Sequence, residues 1–299
     1  MVAWVRSSAL AELVAAWDVQ IPRVGAASLF DWLDQFSEAH WDYRNGNERN
    51  LARQPALTPD QERVTVEVAA ALGLTDPRAP LRSRYDAVLV LGGLLRACLT
   101  RPMYASALEK EGHVFGEIVA LGGFRHLAGN EIPLSGSLNV PVRNEFEAMV
   151  HGVRIAFQIS EQPDIELSSP HGEGNGDWAI ATFRARPDVS VVAAPSSEPT
   201  RRRANSVDTY TWWANRHPTG ISGHHVLVIT STIYVPYQEA GAISTLGLRY
   251  EAAVETVGVP AHFANLGSFT TMFTAANYLQ EIRSAIRGYR QLFGQLEAV

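Results

Sequence analysis

The chain has 299 residues, enough for one large α/β domain with additions or for two small domains. Charged residues make up 19% and the formal net charge is -6, which argues against non-specific attraction to nucleic acid or to an anionic membrane. One cysteine excludes an internal disulfide or a cysteine-built zinc cluster and fits a reducing cytoplasm, and no run of about 18 apolar residues marks a membrane span.

The first residues, MVAWVRSSALAELVAAWDV, are interrupted by Glu12 and Asp18 and read as an amphipathic helix rather than a signal peptide. Helices are expected through residues 7 to 73. Ser28 to Trp41 sets Leu29, Trp32, Leu33 and Phe36 on one stripe. Thr58, Pro59 and Gln61 form a capping-box start with proline at the first helical position. Between them, residues 42 to 55 are polar, carry Arg44, Arg49 and Arg53, and read as an exposed loop.

Tyr85 to Leu91 (YDAVLVL) is a nearly continuous apolar run, the pattern of a strand covered on both faces of a parallel sheet. Gly92-Gly93 turns it into LLRACL, where Cys98 reads as a buried thiol. Gly116 to Leu121 is a second strand, ending in Gly122-Gly123-Phe124-Arg125. Asn144 to Phe157 has helical spacing. Glu161 to Asp177 reads as a loop, and Asp177 to Phe183 as a further strand without an assigned place. Val189 to Ala194, His225 to Ile229 and Arg249 to Thr256 complete about five strands, and Ser268 to Leu296 closes the chain as a long amphipathic helix. Strands alternating with helices predict a Rossmann-like open, mainly parallel sheet with helices on both faces. The expected division is a helical extension over 1–80 and an α/β domain with its C-terminal helix over 81–299.

In such a sheet the ligand crevice lies beyond the carboxyl ends of the strands. Four segments are expected there. Gly92, Gly93, Gly122 and Gly123 either admit a ligand to the backbone or merely make tight turns. Arg125 and Arg203 offer planar forks for a phosphate or carboxylate. Asn205, Ser206 and Asp208 open a helix, as caps or as ligand contacts. Thr230 and Ser231 precede another helix whose N–H groups favour an anion, with Tyr234 and Tyr237 in its first turn, to stack on a ring or to pack. Glu145 is a candidate general base or hydroxyl acceptor, whereas Glu131 reads as a solvated charge. His151, His171, His217, His224, His225 and His262 lack the spacing of a helical metal site, so no metal is expected.

The succession LVLGG, IVALGG, NEFEAM, RANSVDT and VITSTIYVPYQEA resembles the YdcF-like family, which includes SanA and ElyC, over about Tyr85 to Glu255. Gly92, Gly93, Gly122, Gly123, Glu145, Asn205, Thr230 and Ser231 match its motifs. Ser206 stands where threonine is usual, Asp208 where glutamate is usual, and Tyr234 and Tyr237 where the family has histidine and arginine. The resemblance implies a Rossmann-type domain and a link to S-adenosylmethionine. The expectation is a cytoplasmic enzyme of small-molecule metabolism, a transferase binding S-adenosylmethionine or a nucleotide. Glu145, Asp208 and Tyr234 are the catalytic candidates, and the glycines, Arg125, Arg203, Asn205, Ser206, Thr230, Ser231 and Tyr237 the binding residues. The alternatives are a non-catalytic binding protein on the same scaffold and a hydrolase of a phosphorylated carrier. A homo-oligomer is left open, and no nucleic-acid or membrane partner is expected.

Overall fold

A computed structural model describes residues 1–43, 56–169, 174–267, 270 and 272–298. The polar loop expected at 42 to 55, with its three arginines, falls outside them save for its first two residues, as do His171 and Phe269. The chain forms two compact units: residues 78–231 with 242–270, and residues 1–77 with 232–241 and 271–299.

In the second of these the N-terminal helices are α1 (Val2–Val5), α2 (Ser8–Ala15), α3 (Ala26–Trp41) and α4 (Pro59–Ala71). The Thr58–Gln61 capping box is present, and the Gln61 amide also donates to the Ala16 carbonyl at 3.2 Å, fixing the start of α4 against the end of α2.

The α/β unit opens with β1 (Arg84–Val90), α5 (Leu95–Lys110) and β2 (Val114–Gly122). It continues through α6 (Glu131–Ser137), α7 (Glu145–Ala156), β3 (Asp164–Leu167), β4 (Ala179–Phe183), β5 (Arg186–Ala193), α8 (Ser206–Arg216) and β6 (His225–Ser231). The helix α9 (Val235–Ala242) follows, then a five-residue π-helix, α10 (Leu248–Tyr250), β7 (Ala253–Val259) and α11 (Ala275–Glu297).

The sheet has seven strands in the order β3-β4-β5-β2-β1-β6-β7. β5, β2, β1, β6 and β7 are mutually parallel, while β3 and β4 add an antiparallel ribbon at one edge. Counted in chain order the parallel strands run 3-2-1-4-5, the doubly wound Rossmann-like arrangement. Both faces are apolar. Val88, Val90, Ile118, Ala120, Leu227 and Ile229 pack under α5 and α7; Leu89, Leu91, Val119, Val226 and Val228 pack under Tyr210 and Trp213 of α8.

The departures from expectation have local causes. β7 begins at Ala253 rather than Arg249, because the π-helix and α10 run to Tyr250 and Glu251 turns the chain through φ 59°. The expected strand at Asp177 to Phe183 is β4, and the stretch read as a loop before it contains β3. The final helix begins at Ala275, not Ser268: Thr274 and Asn277 make a capping box, and Met272 stands 82% exposed outside it. α11 packs on α3 and α4, so by its contacts it groups with the N-terminal helices, where the sequence reading had grouped it with the α/β body. Phe30 meets Phe293 at 5.1 Å between ring centres, and Trp4 meets Tyr289 at 5.3 Å. The buried Arg283 reaches Asp42 at 3.1 Å and Asp34 at 3.4 Å.

Candidate functional site

Parallel topology carries the ends of β1, β2, β5 and β6 to one edge of the sheet. The reversal of strand order lies between β1 and β6, where an open α/β sheet parts to leave a crevice. The turn after β1 is Leu91-Gly92-Gly93, and its neighbours explain its glycines. A Cβ on Gly92 would run into Glu145 Oε1 and the Leu121 carbonyl. A Cβ on Gly122 would approach the Phe146 Cα to 3.0 Å, whereas at Gly123 it would meet nothing within 4 Å. Gly92 is therefore required by the close approach of β2 and of the Glu145 side chain, Gly122 by that of the α7 backbone, and of the two Gly-Gly turns only Gly123 has open space.

Glu145 opens α7, whose Asn144 side chain caps the helix by accepting from the Glu147 N–H at 2.9 Å. The peptide N–H of Glu145 donates to the Arg125 carbonyl at 2.9 Å, and that of Phe146 to the Gly123 carbonyl at 2.8 Å, which fastens the start of α7 to the end of β2. The Glu145 side chain is 15% exposed, lies against Gly92, and receives Arg125 Nε at 3.2 Å. Burial raises its pKa, against the opposing charges of Arg125, Arg101 and Arg203.

Glu131, expected to be solvated, is buried. Arg125 Nη1 lies 2.6 Å from its Oε2, and its Oε1 accepts the Leu95 N–H at 2.8 Å. Burial alone would raise its pKa; the Arg125 hydrogen bond and the Leu95 N–H outweigh it and leave the pKa lowered. Arg125 thus joins two carboxylates and also donates to the Gly93 carbonyl at 3.0 Å, so much of its charge is met from within the protein. Cys98 lies beneath this turn with its sulfur 3.7 Å from the Gly93 carbonyl oxygen. Burial pushes its pKa well up, in keeping with an unreactive thiol.

Arg101 was not singled out from the sequence. It extends from α5, only 3% exposed, and its Nη1 donates to the Leu91 carbonyl at 2.7 Å and to the Gly92 carbonyl. Its Nη2 donates to Ser231 Oγ at 3.1 Å, so one guanidinium ties the end of β1 to the end of β6. The strand expected to end at Ile229 runs on, so Thr230 and Ser231 are the last residues of β6 instead of following it; a short 3-10 turn, Thr232–Tyr234, precedes α9. Ser231 lies on the α5 side of the sheet, and Thr230, fully buried, on the other.

After β5, Asn205 and Asp208 make a reciprocal capping box at the start of α8, with Ser206 its first residue. Asp208 also accepts the Ser197 N–H at 3.2 Å and pairs with Arg202, so its oxygens are engaged in holding the loop 197–205. Arg201 pairs with the nearby Glu198, and Arg203, exposed, stands close enough to Glu145 to act on its charge. Tyr234 and Tyr237 fall in the helical unit. Tyr234 meets Phe273 edge-on at 6.4 Å, and Tyr237, 42% exposed, lies against Gly288 of α11. The residues joined directly at the sheet edge are thus Gly92, Gly93, Gly122, Gly123, Arg125, Glu145 and Ser231, with Arg101 and Glu131 added. Among the described residues no His, Cys, Asp or Glu side chains gather as a metal site, and no helix is long and apolar enough to cross a membrane.

Residues 1–73 match the model of the Rv3785 N-terminal domain, which ends just beyond α4. The whole chain is similar to the uncharacterized protein Rv3785 of Mycobacterium tuberculosis H37Rv and to the uncharacterized protein Mb3814 of Mycobacterium bovis. Each is 32% identical over 99% of this chain and 89% of its own length. No solved structure matches the chain.

Proposed function

The chain belongs to the Rv3785 family, and from that footing we propose that it is an enzyme of small-molecule metabolism that takes a phosphorylated or nucleoside-containing ligand at the carboxyl edge of its sheet. One observation carries the reading: Glu145, a largely buried carboxylate of raised pKa, lies against the first glycine of the turn at the switch point. A carboxylate so perturbed is suited to exchange a proton with a bound hydroxyl. Its position at the switch point supports the reading, since doubly wound sheets as a class bind ligands there. In a transfer to a hydroxyl, Glu145 accepts the proton that the hydroxyl loses as its oxygen bonds to the transferred group, while that group's bond to its donor breaks and the donor fragment leaves with the bonding electron pair. Arg101 and Arg203 supply positive potential beside it, while Arg125 spends most of its charge on Glu131 and Glu145.

The likeness of the strand-turn motifs to the YdcF-like family agrees with S-adenosylmethionine or a nucleotide as the second substrate and with a transferase reaction. The buried lone thiol agrees with a reducing, cytoplasmic setting. The test is thermal-shift screening with S-adenosylmethionine, nucleotides and sugar nucleotides. A ligand at about a hundred times its Kd adds about 2.7 kcal/mol to stability, and Glu145→Gln is expected to retain that shift while losing turnover. A protein unmoved by all three classes overturns the reading.

A further inference from the structure

Arg101 is a buried cation at the switch point of the sheet, and its bonds described above go to the ends of β1 and β6. A guanidinium has five donors in a fixed fork and accepts nothing. Here Nη1 takes the carbonyls of Leu91 and Gly92, and Nη2 takes the hydroxyl oxygen of Ser231. With a lone pair given to a cation, that hydroxyl turns its own proton away from Arg101, and the adjacent positive charge makes it a stronger donor and a poor partner for a second donor. The Glu145 carboxylate lies against Gly92, whose carbonyl Arg101 holds, and can only accept while ionised. The Arg101 guanidinium thus connects the donor, Ser231, to the glycine turn against which the acceptor, Glu145, lies.

We infer that Arg101 is a positioning residue which aims the Ser231 hydroxyl at the ligand, and that the Ser231 donor and the Glu145 acceptor together select a molecule bearing an anionic oxygen and a neighbouring hydroxyl, the chemistry of a sugar phosphate. The inference rests on the proposed ligand site at the sheet edge and narrows it. It assigns to Arg101 the aiming of another side chain, and to Ser231 the contact with the ligand.

The experiment is calorimetric titration of the full chain with ribose 5-phosphate, and with ribose and inorganic phosphate separately. The ester is expected to bind at least tenfold more tightly than either fragment. Ser231→Ala is expected to weaken it about tenfold, the effect of removing one hydrogen bond to an anion. Arg101→Lys keeps the charge but loses the fork, and is expected to weaken it similarly. Because the two act as one device, the double variant is expected to be no weaker than the worse single variant, a coupling that a merely structural arginine would not produce. Wild-type binding left unchanged by Ser231→Ala, or losses that multiply in the double variant, overturn this inference and leave the proposed ligand site standing. Inorganic phosphate bound as tightly as the ester overturns the role given to the hydroxyl. A wild-type chain that binds neither these probes nor any nucleotide refutes the underlying reading and this inference with it.

Discussion

Asp208 is expected to make the stability of the α/β unit depend on acid in a way that its amide replacement abolishes. Its side chain, 4% exposed, accepts the N–H groups of Ser197 and Asn205 and pairs with Arg202. Burial alone would raise its pKa, but Arg202, Ser197 and Asn205 outweigh burial and draw it down from 3.8 to about 2. Taken in full, that fall corresponds to about 2.4 kcal/mol. Arg202 is itself a third exposed to water, and screening reduces the contribution to about 1 kcal/mol. A depressed carboxylate pKa stabilises the folded chain above the unfolded value of 3.8, and the contribution drains away as pH falls toward 2. Urea unfolding of wild type and Asp208→Asn should therefore show a gap of about 1 kcal/mol near neutrality. About half of that gap should be gone near pH 3. A gap that stays constant from neutrality down to about pH 3 would refute the assignment of this pair as a net stabiliser.

Other substitutions separate close approach from open space. Gly92→Ala is expected to cost about 1–3 kcal/mol by urea unfolding, since its Cβ meets Glu145 and the Leu121 carbonyl; Gly123→Ala should stay within about 0.5 kcal/mol, and equal effects would contradict the packing described. Gly152→Ala, whose Cβ would strike the Cys98 carbonyl where α7 crosses α5, should lower Tm by several degrees in calorimetry. Arg283→Leu removes the buried partner of Asp34 and Asp42 and should cost about 2 kcal/mol in the same urea assay; a neutral result would mean that these carboxylates are adequately solvated without it. Cys98 should react with a thiol reagent only as fast as the chain unfolds; rapid labelling of the native protein would contradict its burial.

Four of the five parallel strands were legible because strands covered on both faces are written as largely apolar runs, and YDAVLVL is one; β7 was placed four residues early, because its expected stretch, RYEAAVET, carries charges that blur its start. β3 was not: all four of its residues are exposed, so no burial periodicity marks it. The start of α11 was overrun because Met272 and Phe273 happen to continue its stripe, while the capping box at Thr274 and Asn277 was the better stop signal. At the candidate site, Gly92 and Glu145 were legible from their motifs, but the reason for the glycine was not, since it lies in a contact between segments far apart in the chain. Arg101 and Glu131 were missed for the same cause. On a helix, an isolated charge looks like a solvated one until tertiary structure supplies three acceptors to the first and an arginine to the second.

The pairing of α3 with α11 bears on the order in which the molecule is made. Arg283 and Asp34 are 249 residues apart, yet they share one partly buried contact. When the first four helices emerge from the ribosome, the surface that α11 will cover is bare, and it stays bare while the whole α/β sheet is synthesised. A recombinant fragment cut at residue 73 would inherit that exposed surface permanently, and co-expression with a peptide spanning α11 is the natural way to keep it from aggregating.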